Sequence, residues 1–160
     1  MPGVVARIVD VDTGAELPTG KEGLVYLRGQ NIMAGYFQRP EKTAEVLKDG
    51  WYNTGDMARI DEDGFIEITG RLSRFSKIGG EMVPHVLIEE KLQTLSGVAE
   101  PAFVVTSVPD EKRGERLIVL CNPLAGDWDA TYEKLNNSGI PKLWIPSRSD
   151  FYAVESFPVL

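Results

Sequence analysis

With 160 residues, 42% of them hydrophobic and 26% charged, the chain has the composition of a soluble globular protein and the length of one domain or two small ones. Its formal net charge of −7 argues against a general nucleic-acid binder, because displacing counterions from phosphates requires a basic surface. The single cysteine, Cys121, cannot form an internal disulfide, so a reducing, cytoplasmic setting is expected. Met1-Pro2-Gly3 opens onto a short apolar run broken by Arg7 and Asp10, which is neither a secretory signal nor a membrane span.

The first part reads as short strands joined by tight turns: Val4 to Val11, a turn at Asp12-Thr13-Gly14, and a strand from Gly23 to Gly29. A helix is expected from Pro40 to Lys48, with Pro at its first position, Glu41 and Glu45 ahead of Lys48, and Asp49-Gly50 as its stop. Met57 to Asp61 and Phe65 to Thr69 then form a hairpin around Glu62-Asp63-Gly64. Phe65, Glu67 and Thr69 alternate there with Ile66 and Ile68, as in a strand with one buried face. A small barrel or twisted antiparallel sheet follows from these elements. After Gly70 come Arg71, Arg74 and Lys77 with no acid before Glu81, then the pair Gly79-Gly80, and this change of texture marks a domain junction. From Pro84, Ile88, Leu92 and Leu95 recur at helical spacing until Gly97. Strands are expected over Ala102 to Val108 and Arg116 to Cys121, and a helix capped by Asp127 that carries Trp128, Tyr132 and Leu135 on one face. Ser149 to Val154 supplies a last strand. The expected fold class is therefore α+β: a β-barrel-like antiparallel module over residues 1–71, followed by a compact α+β domain over residues 72–160.

Several side chains invite chemistry. In Trp51-Tyr52-Asn53-Thr54-Gly55-Asp56 a glycine lets the backbone turn sharply and places a carboxylate just before a strand, where it can accept two hydrogen bonds from a diol. On spacing alone, an aspartate after glycine is more often a turn or cap residue. The run Asp61-Glu62-Asp63-Gly64 does not make an EF-hand, because the sixth loop position holds Ile66 and not glycine. No metal site is expected. His85 has no second histidine or cysteine to complete a metal site or dyad, and Cys121 lies in an apolar strand, so both read as structural. Gly79-Gly80 makes either a turn or a narrow passage for a ligand chain, and Arg71, Arg74 and Lys77 form either an anion site or a solvated face.

In order along the chain, these pieces resemble the adenylate-forming superfamily of acyl-CoA synthetases, peptide-synthetase adenylation domains and luciferases. The resemblance begins in Gly23 to Gly29, Met33-Ala34-Gly35-Tyr36-Phe37 and Pro40-Glu41-Lys42-Thr43. It is strongest at Tyr52-Asn53-Thr54-Gly55-Asp56 with Asp63-Gly64-Phe65 and Gly70-Arg71, similar to the family's Thr-Gly-Asp and Gly-Arg elements. It implies that Asp56, Arg71 and Ile68 bind the nucleotide, with Asp56 on the ribose hydroxyls. It places Ser73 at the hinge about which a small carboxyl-terminal domain rotates between two catalytic arrangements, although many relatives carry Asp or Lys there. It also implies that Gly79 and Gly80 line a phosphopantetheine channel.

By the same resemblance, the parent enzyme uses ATP with Mg2+, joins a fatty acid to acyl carrier protein or coenzyme A, and involves neither nucleic acid nor an intrinsic membrane segment in this part. Gly70 to Val83 is most similar to the acyl-acyl carrier protein synthetase part of bacterial 2-acylglycerophosphoethanolamine acyltransferase/synthetase proteins, which recycle phospholipid. That branch leaves open an association of the parent with the inner membrane and an acyltransferase domain. It would make Arg74 and Lys77, with Arg113 and Arg116, a docking face for an acidic carrier protein. The family's phosphate loop and its adenylation lysine have no counterpart in this sequence, so no catalytic residue is assignable and the chain alone is expected to be inactive. The alternatives are an acyl-CoA ligase or a non-catalytic module that binds adenylates or carrier proteins.

Overall fold

The computed structural model describes residues 3–157, which divide into two compact units, Met1–Ser73 and Arg74–Leu160. In the first unit β1 (Val4–Val9) pairs antiparallel with β2 (Gly23–Gly29), and β2 pairs antiparallel with a ten-residue strand longer than the sequence suggests. Helix α1 (Pro40–Val46) ends two residues earlier than expected. Leu47 and Lys48 leave it to form the short strand β3 (Leu47–Lys48) against the start of β4 (Trp51–Ile60). Asp49-Gly50 is therefore a two-residue hairpin turn and not a helix stop. Both residues have positive φ, 52° and 77°, the conformation that matches the twist of the flanking strands. Strand β5 (Ile66–Arg71) pairs with the far half of β4, so β3 and β5 both pair with β4. The result is an open, curled antiparallel sheet and not a closed barrel: among the described residues no ladder joins β1 to β3 or β5. Ile8, Val25 and Ala58 form its core, with Leu17, Leu27 and Ile60 packed around them.

The expectation of a buried face on β5 is overturned. Ile66 and Ile68 are 43% and 58% exposed, and Phe65 just before them is 72% exposed. Burial of an alternating strand requires a layer over one face, and no described element of this unit covers β5.

The second unit is built on β9 (Gly114–Cys121). It pairs antiparallel along its whole length with β8 (Phe103–Asp110), in parallel with β10 (Phe151–Ala153), and through Ile78↔Gly114 with β6 (Phe75–Ile78). β6 forms a hairpin with β7 (Glu81–Pro84). Helix α2 (His85–Ser96) starts directly after it and ends at Gly97, in the left-handed conformation expected of a helix stop. Asp127 caps α3 (Trp128–Asn136) through the amides of Asp129 and Ala130, as its sequence position suggests. The core comprises Ile88 and Leu92 of α2, Leu135 of α3, Val83 of β7, and Val105, Val119 and Phe151 of the strands. Tyr132 and Phe151 meet edge to face, their ring centroids 5.6 Å apart. Glu115 joins three strands, accepting the Lys77 amide and the Ser107 hydroxyl at 2.6 Å each.

Candidate functional site

The segment Thr54-Gly55-Asp56 owes its shape to a mismatch in the ladder. Leu24 pairs with Met57 and Tyr26 with Asn53, so Val25 alone faces three residues of β4. Extra residues in one strand must bulge out of the sheet, and Gly55 supplies the positive φ of 74° that lets them do so. The bulge is locked by side chains. The Thr54 hydroxyl donates to the Val25 carbonyl at 3.1 Å and accepts the Asp56 amide at 3.0 Å, while Asn53 Oδ1 accepts the Gly55 amide at 3.0 Å. Asp56 thus lies within β4, and neither just before a strand nor in a turn as its place after a glycine suggests.

Arg71 faces Asp56 on the neighbouring strand. Its Nη1 lies 2.8 Å from Asp56 Oδ1 and donates to the Thr54 carbonyl at 3.0 Å. The carboxylate is 30% exposed and the guanidinium side chain 62%. This arrangement leaves Asp56 Oδ2 as an acceptor for a ligand hydroxyl, with a fixed cation beside it. Tyr52 borders the pair. Burial raises its phenol pKa above the ordinary value, and a hydrogen bond with the Tyr36 side chain raises it further. Ile68 stands opposite Ala58 on β5 and is 58% exposed.

Asp56 and Arg71 come together although fifteen residues apart in sequence. No protein-family profile matches the chain. A putative acyl-CoA ligase, YdaB of Bacillus subtilis, is 41% identical over 114 residues, covering 71% of this chain and 22% of that protein. A fatty acid–acyl-carrier-protein ligase, ScoC of Streptomyces coeruleorubidus, is 43% identical over 114 residues, 71% of this chain and 21% of its own length. The crystal structure of ATP-bound MatB from Rhodopseudomonas palustris superimposes with a TM-score of 0.74 at 31% identity, covering 99% of this chain and 31% of MatB. The chain belongs to the adenylate-forming acyl-CoA ligase superfamily. It spans under a third of the length of each of these relatives.

The other residues singled out by resemblance to adenylate-forming ligases lie just after this pair. Ser73 is exposed in the 3-10 turn Leu72–Arg74 and is the last residue of the first unit. Gly79 and Gly80 form the two-residue turn between β6 and β7, with φ of 58° and 91°. A Cβ on Gly79 would touch Leu143 at 3.5 Å, whereas one on Gly80 would meet open space, so the open side of this turn is at Gly80.

Three of the basic residues singled out in sequence pair with carboxylates of their own unit. Arg71 holds Asp56, Arg74 Nη2 lies 2.5 Å from Glu89 Oε2, and Arg116 is paired with the buried Asp150. A guanidinium beside a half-buried acid gains more from a charge-assisted bond than from solvent. Lys77 and Arg113 are exposed. Sequence reading missed Glu89 and Glu115, two acids that bind backbone amides of β8 and β6.

His85 and Cys121 are both buried, so a solvent-facing role for His85 does not hold. His85 is buried and its Nε2 lies 2.5 Å from the Ser76 hydroxyl. Desolvation, reinforced by Arg74 and opposed by Glu115, lowers its pKa to about 4. Burial pushes the Cys121 thiol up to about 12. Among the described residues no group of three or more His, Cys, Asp or Glu side chains is placed to hold a metal ion, and no helix is long and apolar enough to cross a membrane.

Proposed function

We propose that this chain is the nucleotide-recognition and hinge segment of an ATP-dependent, AMP-forming ligase that activates a fatty acid as acyl-adenylate and passes it to the phosphopantetheine thiol of an acyl carrier protein. The observation that carries this reading is the bulge-held Asp56 locked against Arg71. One carboxylate oxygen is taken by the guanidinium and the other is left for a ribose diol, and each charge-assisted bond contributes about 1.5–3 kcal/mol. Residues 1–71 would close the large adenylation domain, and residues 72–160 would be the mobile carboxyl-terminal domain, pivoting at Ser73. The open side of the Gly79-Gly80 turn would then admit the pantetheine arm. Mg2+ would enter on the ATP phosphates, as is usual for a cation that keeps most of its water.

The carrier-protein acceptor rests on the likeness of Gly70 to Val83 to acyl-acyl carrier protein synthetases and on the similarity to ScoC. On that reading the exposed Lys77 and Arg113 would face the acidic partner. A second reading, coenzyme A as acceptor, is favoured by the likeness to YdaB and requires the same phosphopantetheine thiol.

The first experiment is titration of AMP into the isotopically labelled chain. Shifts at Gly55, Asp56 and Arg71 that vanish in Asp56→Asn support the site, and an unperturbed spectrum at millimolar AMP sinks it. Thioester formation by the full-length gene product, with ATP, fatty acids and either holo-carrier protein or coenzyme A, then decides the acceptor.

A further inference from the structure

Two arginines three residues apart in sequence are tied in opposite directions. Arg71 Nη1 is held by Asp56 Oδ1 at 2.8 Å and the Thr54 carbonyl at 3.0 Å, all within the first unit. Arg74 is the first residue of the second unit. Its Nη2 lies 2.5 Å from Glu89 Oε2 on α2, and its Nη1 donates to the Val105 carbonyl of β8 at 3.4 Å. Glu89 completes the knot, since its Oε1 accepts the Val105 amide at 2.6 Å. One carboxylate, 17% exposed, thereby ties the residue after the junction to both a helix and a strand of the second unit. Leu72 and Ser73 alone lie between the two anchors.

We propose that Arg74 and Glu89 are positioning residues that fix the downstream end of the pivot, confining backbone rotation to Leu72–Ser73. This rests on the reading of Ser73 as a hinge and sharpens it. A hinge works by concentrating a large φ/ψ change in a few residues while both sides stay rigid. An arginine suits such an anchor, because its planar fork donates to a carboxylate and a carbonyl at once and stays charged at any working pH. With Arg74 released, rotation would spread into the start of β6, and the second unit would no longer turn about a defined axis.

The test is backbone 15N relaxation on the 160-residue chain, comparing wild type, Arg74→Gln, Glu89→Gln and the charge exchange Arg74→Glu with Glu89→Arg. Between Gly70 and Ile78 of the wild type, order parameters below about 0.6 are expected only at Leu72 and Ser73, with values near 0.85 over Arg74 to Ile78. In Arg74→Gln the low values should extend through Arg74 to Ser76, while Leu92 and Val119 of the core keep theirs. Glu89→Gln should do the same while still accepting the Val105 amide, and the exchanged pair should restore the narrow window. A mobile Leu72–Ser73 whose window is unchanged in Arg74→Gln and Glu89→Gln overturns the anchor and leaves the hinge. A wild-type chain with order parameters near 0.85 and no relaxation dispersion at Leu72–Ser73 overturns the hinge reading and the anchor with it.

Discussion

Asp56 and Arg71 stand directly opposite one another on β4 and β5, with Oδ1 and Nη1 2.8 Å apart. The pair is solvent-exposed enough to contribute little to folding, about 0–1 kcal/mol for such a bridge. Its value is geometric. Arg71 fixes the rotamer of the carboxylate and the carboxylate fixes the guanidinium, so on the proposed reading a nucleotide would meet both without ordering either.

It follows that Asp56→Asn should weaken AMP binding by roughly 10- to 100-fold, the loss of one or two charge-assisted bonds, while the melting temperature moves by only a degree or two. Arg71→Ala should weaken it as well by freeing the carboxylate. Calorimetric titration and thermal denaturation separate the two effects, and a large loss of stability with unchanged affinity would remove Asp56 from the site.

His85 makes stability depend on pH. The folded chain holds the imidazole neutral down to about pH 4, whereas the unfolded chain protonates it below its ordinary value of 6.5. The unfolded state therefore binds more protons between these values, and the stabilisation present above pH 6.5 is lost as pH falls towards 4, at up to about 1.4 kcal/mol per pH unit. Ser76, Arg74 and Glu115 surround the ring and set this balance. Denaturant melts of wild type and His85→Gln across pH 4 to 7 should differ in slope, the variant being flatter, and parallel curves would count against the buried neutral imidazole.

Cys121 should resist alkylation in the native chain. Raising its pKa from 9.0 to about 12 cuts the thiolate fraction roughly a thousandfold at neutral pH, and burial denies access to what remains. Reaction with iodoacetamide should therefore track global unfolding by denaturant, and rapid labelling without denaturant would contradict the packing of β9.

The second unit was the more legible in sequence because its signals are local. The spacing of Ile88, Leu92 and Leu95 with Gly97, and the cap at Asp127, gave both long helices. The first unit was less legible because its strands depend on partners. Asp49-Gly50 suits either a helix stop or a hairpin turn, and only the strand Trp51–Ile60 decides for the turn. Ile66 and Ile68 alternate as if one face were buried, but alternation cannot report whether a layer exists to cover it. At the site, Asp56 and Arg71 were legible from motif likeness, whereas Glu89, which engages Arg74, was not, since a side chain crossing from α2 to β8 leaves no periodic trace.

Gly55 offers a test that joins backbone to chemistry. Its φ of 74° lies where an L side chain is strained by about 1–2 kcal/mol, although an added Cβ would meet only Arg71 Nη1 at 3.8 Å, an ordinary contact. Gly55→Ala should therefore destabilise the first unit by about that amount through conformation and not through a clash. If the bulge instead relaxes to a regular ladder, Asp56 moves away from Arg71 and nucleotide affinity falls further than stability does. Gly55→Asn, which tolerates the left-handed region better, should recover part of both losses. Equal losses in the two variants would mean that space around Gly55, and not its dihedral angle, holds the carboxylate in place.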